Sequence, residues 1–189
     1  MVSSERVSSV LRGHGELRAQ AASEWAGPIP LPAALERYYL EVGPADVTIP
    51  DLEDAFFLPA LADLWDFQAG YCFDDSSEEA LSEWPDDWLV VAEQGGNPLV
   101  FSQRTGRVSL AQHDTGAWVP VELFTDLNEM ACCLSLLGSI IVEKEDALLD
   151  EASDGALQYR RAAEFGLTDL LGTVDRASHV LRRLGWGSE

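Results

Sequence analysis

Trp84-Pro85-Asp86-Asp87-Trp88-Leu89-Val90-Val91-Ala92-Glu93-Gln94-Gly95-Gly96-Asn97-Pro98-Leu99-Val100-Phe101 is the stretch whose reading decides the fold. Trp88 to Ala92 is an unbroken apolar run containing β-branched residues, the pattern of a strand covered on both faces. Gly95-Gly96-Asn97 is a turn signal, and Pro98 to Ser102 reads as the returning strand. Gln103 to Gly106 is a further turn, after which Arg107 to Ala111 forms a third strand with Val108 and Leu110 on one face. A turn at Asp114-Thr115-Gly116 leads to Ala117-Trp118-Val119, a fourth strand or edge segment that ends before Pro120. The expectation is an antiparallel meander.

Outward from this centre the periodicity becomes helical. Asp126 and Glu129 have capping-box spacing, and Leu127, Met130, Ala131, Leu134 and Leu137 then repeat on one face, predicting a core-facing helix that stops at Gly138. Upstream, Leu31, Leu35, Tyr38, Tyr39 and Val42 predict a short amphipathic helix closed by Gly43-Pro44. The first thirty residues read as a loosely tethered helical arm broken by Pro28 and Pro30. Residues 45–60, with Pro50 and Pro59, read as loop, and 58–67 has room for a further helical turn or two. Beyond the acidic joint 143–151, one short helix is expected near 156–165 and another through Leu167, Leu170, Leu171, Val174, Ser178 and Leu181.

The chain has 189 residues, 47% of them hydrophobic and 24% charged, enough to fold and to bury roughly 70% of its unfolded surface. Its charge is unusual: 33 Asp and Glu against 12 Lys and Arg give a net charge of -21. Phosphate backbones and anionic lipids are therefore poor partners on Coulomb grounds, and basic proteins are the natural complement. Position sharpens this, because 15 acidic residues and not one Lys, Arg or His lie between Arg37 and Arg104. Asp74, Asp75, Glu78 and Glu79 form the densest run, in an expected loop, and with Asp86 and Asp87 they are the candidate partner-binding carboxylates. Trp65 joins them as an expected part-exposed anchor.

Other chemistries find little support. The acidic interval lacks the D-x-[DN]-x-[DN]-G pattern of a calcium loop, so no metal is expected. Gly95-Gly96-Asn97-Pro98 lacks the Gly-Lys-Ser/Thr of a phosphate loop. His14, His113 and His179 are far apart and have no partner at ligand spacing. Cys72, Cys132 and Cys133 are an odd set that suits a reducing compartment, and Cys132-Cys133 on the core helix reads as packing. Neither an apolar signal core nor a run of 18 apolar residues is present, so a cytoplasmic location is expected.

The Trp84 to Phe101 segment resembles the central strand-turn-strand signature of the SUKH superfamily, also described as SMI-KNR-like. The bacterial members are mostly toxin-immunity proteins, and the fungal members include a cell-wall synthesis regulator. Thr105-Gly106-Arg107-Val108, His113 to Trp118 and Phe124 to Met130 are similar to the turn, strand and helix that follow. Tyr39-Leu40-Glu41-Val42-Gly43-Pro44 and Gln68-Ala69-Gly70-Tyr71 look like pieces of one bacterial branch. The resemblance covers residues 31–142 and implies an α+β fold, a curved mixed or antiparallel sheet packed by helices, and no cofactor. It implies a non-catalytic binder of a cognate toxin, and the acidic interval adds the expectation that this toxin is basic, such as a nuclease. On this division residues 1–30 are an N-terminal arm, 31–142 the α+β domain, and 143–189 a helical extension packed on it. Two alternatives stay open at this stage: a scaffold or regulatory domain binding a housekeeping protein, and a hydrolase using paired carboxylates.

Overall fold

The computed structural model describes residues 2–74, 76–77, 79–114, 117–148 and 154–187. Six strands pair in chain order, each antiparallel to the next. They are β1 (Val47–Ile49), β2 (Phe56–Leu58), β3 (Trp88–Gln94), β4 (Asn97–Ser102), β5 (Val108–Asp114) and β6 (Ala117–Phe124). Five helices complete the fold: α1 (Ser4–Leu11), α2 (Ala33–Glu41), α3 (Leu127–Leu148), α4 (Asp154–Leu171) and α5 (Val174–Arg183). The fold is α+β, and the meander expected from the Trp84 to Phe101 segment is its centre. Among the described residues, no helix is long and apolar enough to cross a membrane.

Gly95 and Gly96 explain the tightness of the β3–β4 hairpin. Both have positive φ, 54° and 83°, the primed-turn geometry that matches strand twist and that residues with a Cβ rarely adopt. Beyond the turn, Leu89, Val91, Leu99, Phe101, Val108 and Leu110 point to one face and join the main core with α3. Val90, Val100 and Ala111 point to the other and form a smaller core with Trp84. Alternation along each strand thus gives the sheet two covered faces. A bulge between Val90 and Ala92 interrupts the period, and Val91 and Ala92 both join the main core.

α3 is the helical centre, with Leu127, Met130, Ala131, Leu134 and Leu137 all buried as their spacing predicts. Two side chains cap its start: Glu129 N–H donates to Asp126 Oδ1 at 2.8 Å, and Thr125 N–H, one residue before Asp126, donates to Glu129 Oε2 at 2.7 Å. The helix runs through Gly138 instead of stopping there. A Cβ at 138 would strike the Ile49 side chain, so this glycine permits α3 to approach β1 closely.

Other expectations are corrected by context. Residues 45–60 hold β1 and β2, because Pro50 and Pro59 bound these short strands instead of lying inside them. β6 continues through Pro120 to Phe124, as a strand at the edge can, since it stands last in the order of the described sheet. The single helix read through Leu167 to Leu181 is two, divided at Gly172, whose φ is 83°, with Thr173 capping α5 through Arg176 N–H. The first helix is not loosely tethered: Val7 and Leu11 are fully buried, and Asn128 Nδ2 donates to Val2 O at 3.1 Å. Downstream of it, the buried Gln20 amide donates to Pro44 O and accepts from Leu61 N–H, both at 2.7 Å. The turn expected at 114–116 falls partly on Thr115 and Gly116, outside the described residues.

Candidate functional site

The segment between β2 and β3 contains little regular structure, yet it covers the smaller face of the sheet. A 3-10 turn at Asp66–Gln68 holds it down. Gln68 is fully buried, and its amide bonds both backbone groups of Val90, Oε1 accepting from N–H at 2.8 Å and Nε2 donating to the carbonyl at 2.9 Å. Next comes a small hairpin: Leu81 N–H donates to Cys72 O, Asp74 N–H donates to Glu79 O, both at 2.9 Å, and Phe73 bridges Ala80. Asp74 shapes the tip by accepting from Ser76 N–H at 3.0 Å and Ser77 N–H at 2.8 Å. Those bonds, from Ser77 above all, hold its carboxyl below the usual range.

Aromatic rings then build a wall. Trp65 stacks on Phe73 with ring centroids 5.4 Å apart and meets Trp25 edge-on at 5.9 Å. Trp84 meets Trp88 edge-on at 5.4 Å and Trp118 at 5.5 Å, and its indole N–H donates to Trp88 O at 3.3 Å. Between these two groups opens a groove of about 600 Å³. Trp65, Phe73, Trp84 and Trp88 line it, and among the described residues Asp66 and Asp86 are its charged side chains and no cation enters the lining. Trp84 is nearly buried, whereas Trp65 and Trp88 are half-buried, and both carboxylates are exposed.

The candidate residues therefore divide. Trp65 and Asp86 come together in the groove. Asp74 and Glu79 are exposed at the tip of a hairpin whose stem residues Phe73 and Ala80 also line it. Asp87 turns elsewhere: it accepts from Ser102 Oγ at 2.7 Å and lies 3.7 Å from Arg104 Nε, bracing the turn after β4. Asp75 and Glu78 lie outside the described residues. Asp66 and Trp88 are not among the residues that the sequence offered as site candidates. The available signal was the recurrence of Trp65, Phe73, Trp84 and Trp88 within a stretch that holds acids and no cation.

Among the described residues the thiols are not activated: burial pushes up Cys72 in the groove lining as well as Cys132 and Cys133 on α3. His14 Nε2 lies 2.9 Å from Ser135 O, fastening the loop after α1 to α3. Among the described residues, no group of three or more His, Cys, Asp or Glu stands ready for a metal ion. What the groove and its hairpin offer is a contact surface with apolar walls and a negative rim.

Comparison with known proteins adds one positive finding. The model of a family described as SUKH-4 immunity protein matches residues 11–183. No curated protein matches the chain, and no solved structure does.

Proposed function

Since the chain belongs to the SUKH-4 immunity protein family, we propose that it neutralises a cognate toxin of basic character, a nuclease by preference, in the cytoplasm of the producing cell. Membership itself implies a toxin-neutralising role and a toxin partner, and it makes the protein a binder, not an enzyme. The charge of the partner and the surface that meets it are our reading. One observation carries that reading: 15 acidic residues without a single cation lie between Arg37 and Arg104, the interval that supplies the hairpin and all of the described groove lining except Pro28 and Ile29. A negative field of this kind raises encounter rates with a positive target and disfavours nucleic acid and anionic membranes as competitors.

The contact surface is assigned to Trp65, Asp74, Glu79 and Asp86, with Asp75 and Glu78 of the same acidic run; the seventh candidate, Asp87, is engaged by Ser102 and Arg104 and is left out of it. Protection works by occlusion: the acidic surface covers the cationic cleft through which a nuclease holds its substrate, and no bond is made or broken. Co-expression tests this. A candidate toxin from the same locus should arrest a host when expressed alone and leave it growing when this protein is present. Equal killing in both cultures removes the immunity reading for that pair.

A further inference from the structure

The groove between Trp65 and Trp88 has a lining with a definite chemical bias. Its walls are aromatic and aliphatic, and among the described residues its charged groups are the exposed carboxylates of Asp66 and Asp86, with no Lys or Arg in the lining. A purely apolar ligand would leave the carboxylates without a counter-charge, and an anion would be repelled by them. Arg and Lys side chains satisfy both halves at once, laying an aliphatic stem on apolar walls and presenting a cationic head to a π-face or a carboxylate. The planar guanidinium suits such a place better than the strongly hydrated ammonium, because it stacks on rings and pairs with carboxylates in a fork.

We infer that this groove is a socket for an arginine side chain of the partner protein, its stem between Trp65 and Trp88 and its guanidinium held at Asp66 and Asp86. The assignment rests on the reading of the protein as a binder of a basic toxin, and it adds the anchor through which such a toxin is held. Phe73 backs Trp65 by stacking, and Trp84 backs Trp88 edge-on, so both rings are fixed before the ligand arrives. Preorganised aromatic surface of this kind costs little ordering entropy on binding. The acidic hairpin tip beyond Phe73 supplies long-range attraction, whereas the socket supplies the local contact.

The test needs no toxin. The full chain, labelled with 15N at its tryptophan indoles, is titrated with hexa-arginine, hexa-lysine, hexa-leucine bearing a solubilising glycol tail, and hexa-glutamate. The indole resonances of Trp65 and Trp88 are expected to move saturably with hexa-arginine, less with hexa-lysine, and with neither of the others. D66N/D86N should weaken hexa-arginine binding about fivefold or more, against about twofold or less for the charge-matched pair E5Q/D175N. Both substituted pairs remove two negative charges, so a diffuse attraction to the acidic surface would weaken equally in each, and that result overturns the socket. Movement with hexa-leucine equal to that with hexa-arginine also overturns it. So does concentration-dependent movement of the same resonances in the absence of peptide, which would mean that a second copy fills the groove. Failure of the socket with intact protection in culture would leave the immunity reading standing, and the reverse outcome would remove that reading alone.

Discussion

The side chain of Gln68 acts toward Val90 as a neighbouring strand would, accepting from its N–H at 2.8 Å and donating to its carbonyl at 2.9 Å. β2 pairs with β3 only at Glu93 and Gln94, so among the described residues the side of β3 away from β4 has no strand beside it at Val90. The amide replaces the absent ladder, and Nε2 also donates to Leu64 O at 2.7 Å. Q68A leaves three backbone groups without these bonds in a buried setting, and should cost about 3 kcal/mol of unfolding free energy. Q68E should cost at least as much, because a carboxylate accepts from Val90 N–H but faces the two carbonyls with no donor. Urea unfolding followed by tryptophan fluorescence measures both, and a loss below about 0.5 kcal/mol for Q68A would show that water or another group satisfies that edge.

A second tie joins the start of α3 to α5. Arg176 donates to the nearly buried Glu129 carboxylate through Nη2 at 2.8 Å and Nη1 at 3.2 Å. Burial alone would push the Glu129 carboxyl up, but the bonds from Arg176 and Thr125 outweigh it and hold the group below its ordinary 4.5. A depressed carboxyl stabilises the fold above the unfolded value, and that contribution disappears as pH falls through the folded value. R176M should therefore cost about 2 kcal/mol at pH 7, at the lower side for a buried pair because Arg176 is more than a third exposed. Lowering the pH from 5 to 3 should destabilise the parent more than R176M, and denaturant midpoints at the two pH values would reveal it.

Asp51 has the opposite sign. It accepts from Trp186 Nε1 and Gln94 Nε2, both at 2.6 Å, fastening the C-terminal tryptophan to the segment after β1. Burial pushes its carboxyl up to about 6, despite the bonds from Trp186, Leu52 and Gln94. A raised carboxyl favours the folded state at low pH, and that advantage is lost as pH rises through about 6. D51N retains an acceptor for the indole and removes the charge. Its stability relative to the parent should improve by about 1 kcal/mol between pH 5 and pH 8, measured by urea unfolding at each. A difference that stays constant over that range would mean that the carboxyl is ordinary.

How far the sequence could be read depended on whether the signals were local. The β3–β4 hairpin was legible because Trp88 to Ala92 and Gly95-Gly96 carry strand and turn chemistry within a few residues. The core-facing pattern of α3 was legible for the same reason. β1 and β2 were not, because each is three residues long, too short for any periodicity, and β2, which pairs with β1, is itself held by the distant β3. Gly138 misled because a glycine that ends a helix and one that lets a helix approach a strand look alike until the partner, Ile49, is known. The groove was half legible. Trp65 and the surrounding acids were visible as candidates, but their meeting with Asp66 and Trp88 depends on Gln68 pinning the covering segment to β3.

Charge at the hairpin tip should act on the rate of encounter more than on the lifetime of the complex. Asp74 and Glu79 are exposed there, Asp75 and Glu78 belong to the same run, and solvent-exposed charges are screened over about 8 Å at physiological salt. Replacing all four acids with their amides removes four charges while Asn at 74 keeps an acceptor for Ser76 and Ser77, so the tip should hold its shape. With the cognate toxin, the association rate should then fall about tenfold at low salt, the dissociation rate should change about twofold or less, and the difference should vanish near 0.5 M salt. D66N/D86N should behave differently, raising the dissociation rate, because those carboxylates belong to a local contact that persists until the partner leaves. Stopped-flow association and surface-resonance dissociation separate the two effects. If the fourfold amide variant associates as fast as the parent at low salt, steering originates elsewhere on the acidic surface, and the hairpin tip loses its assigned part.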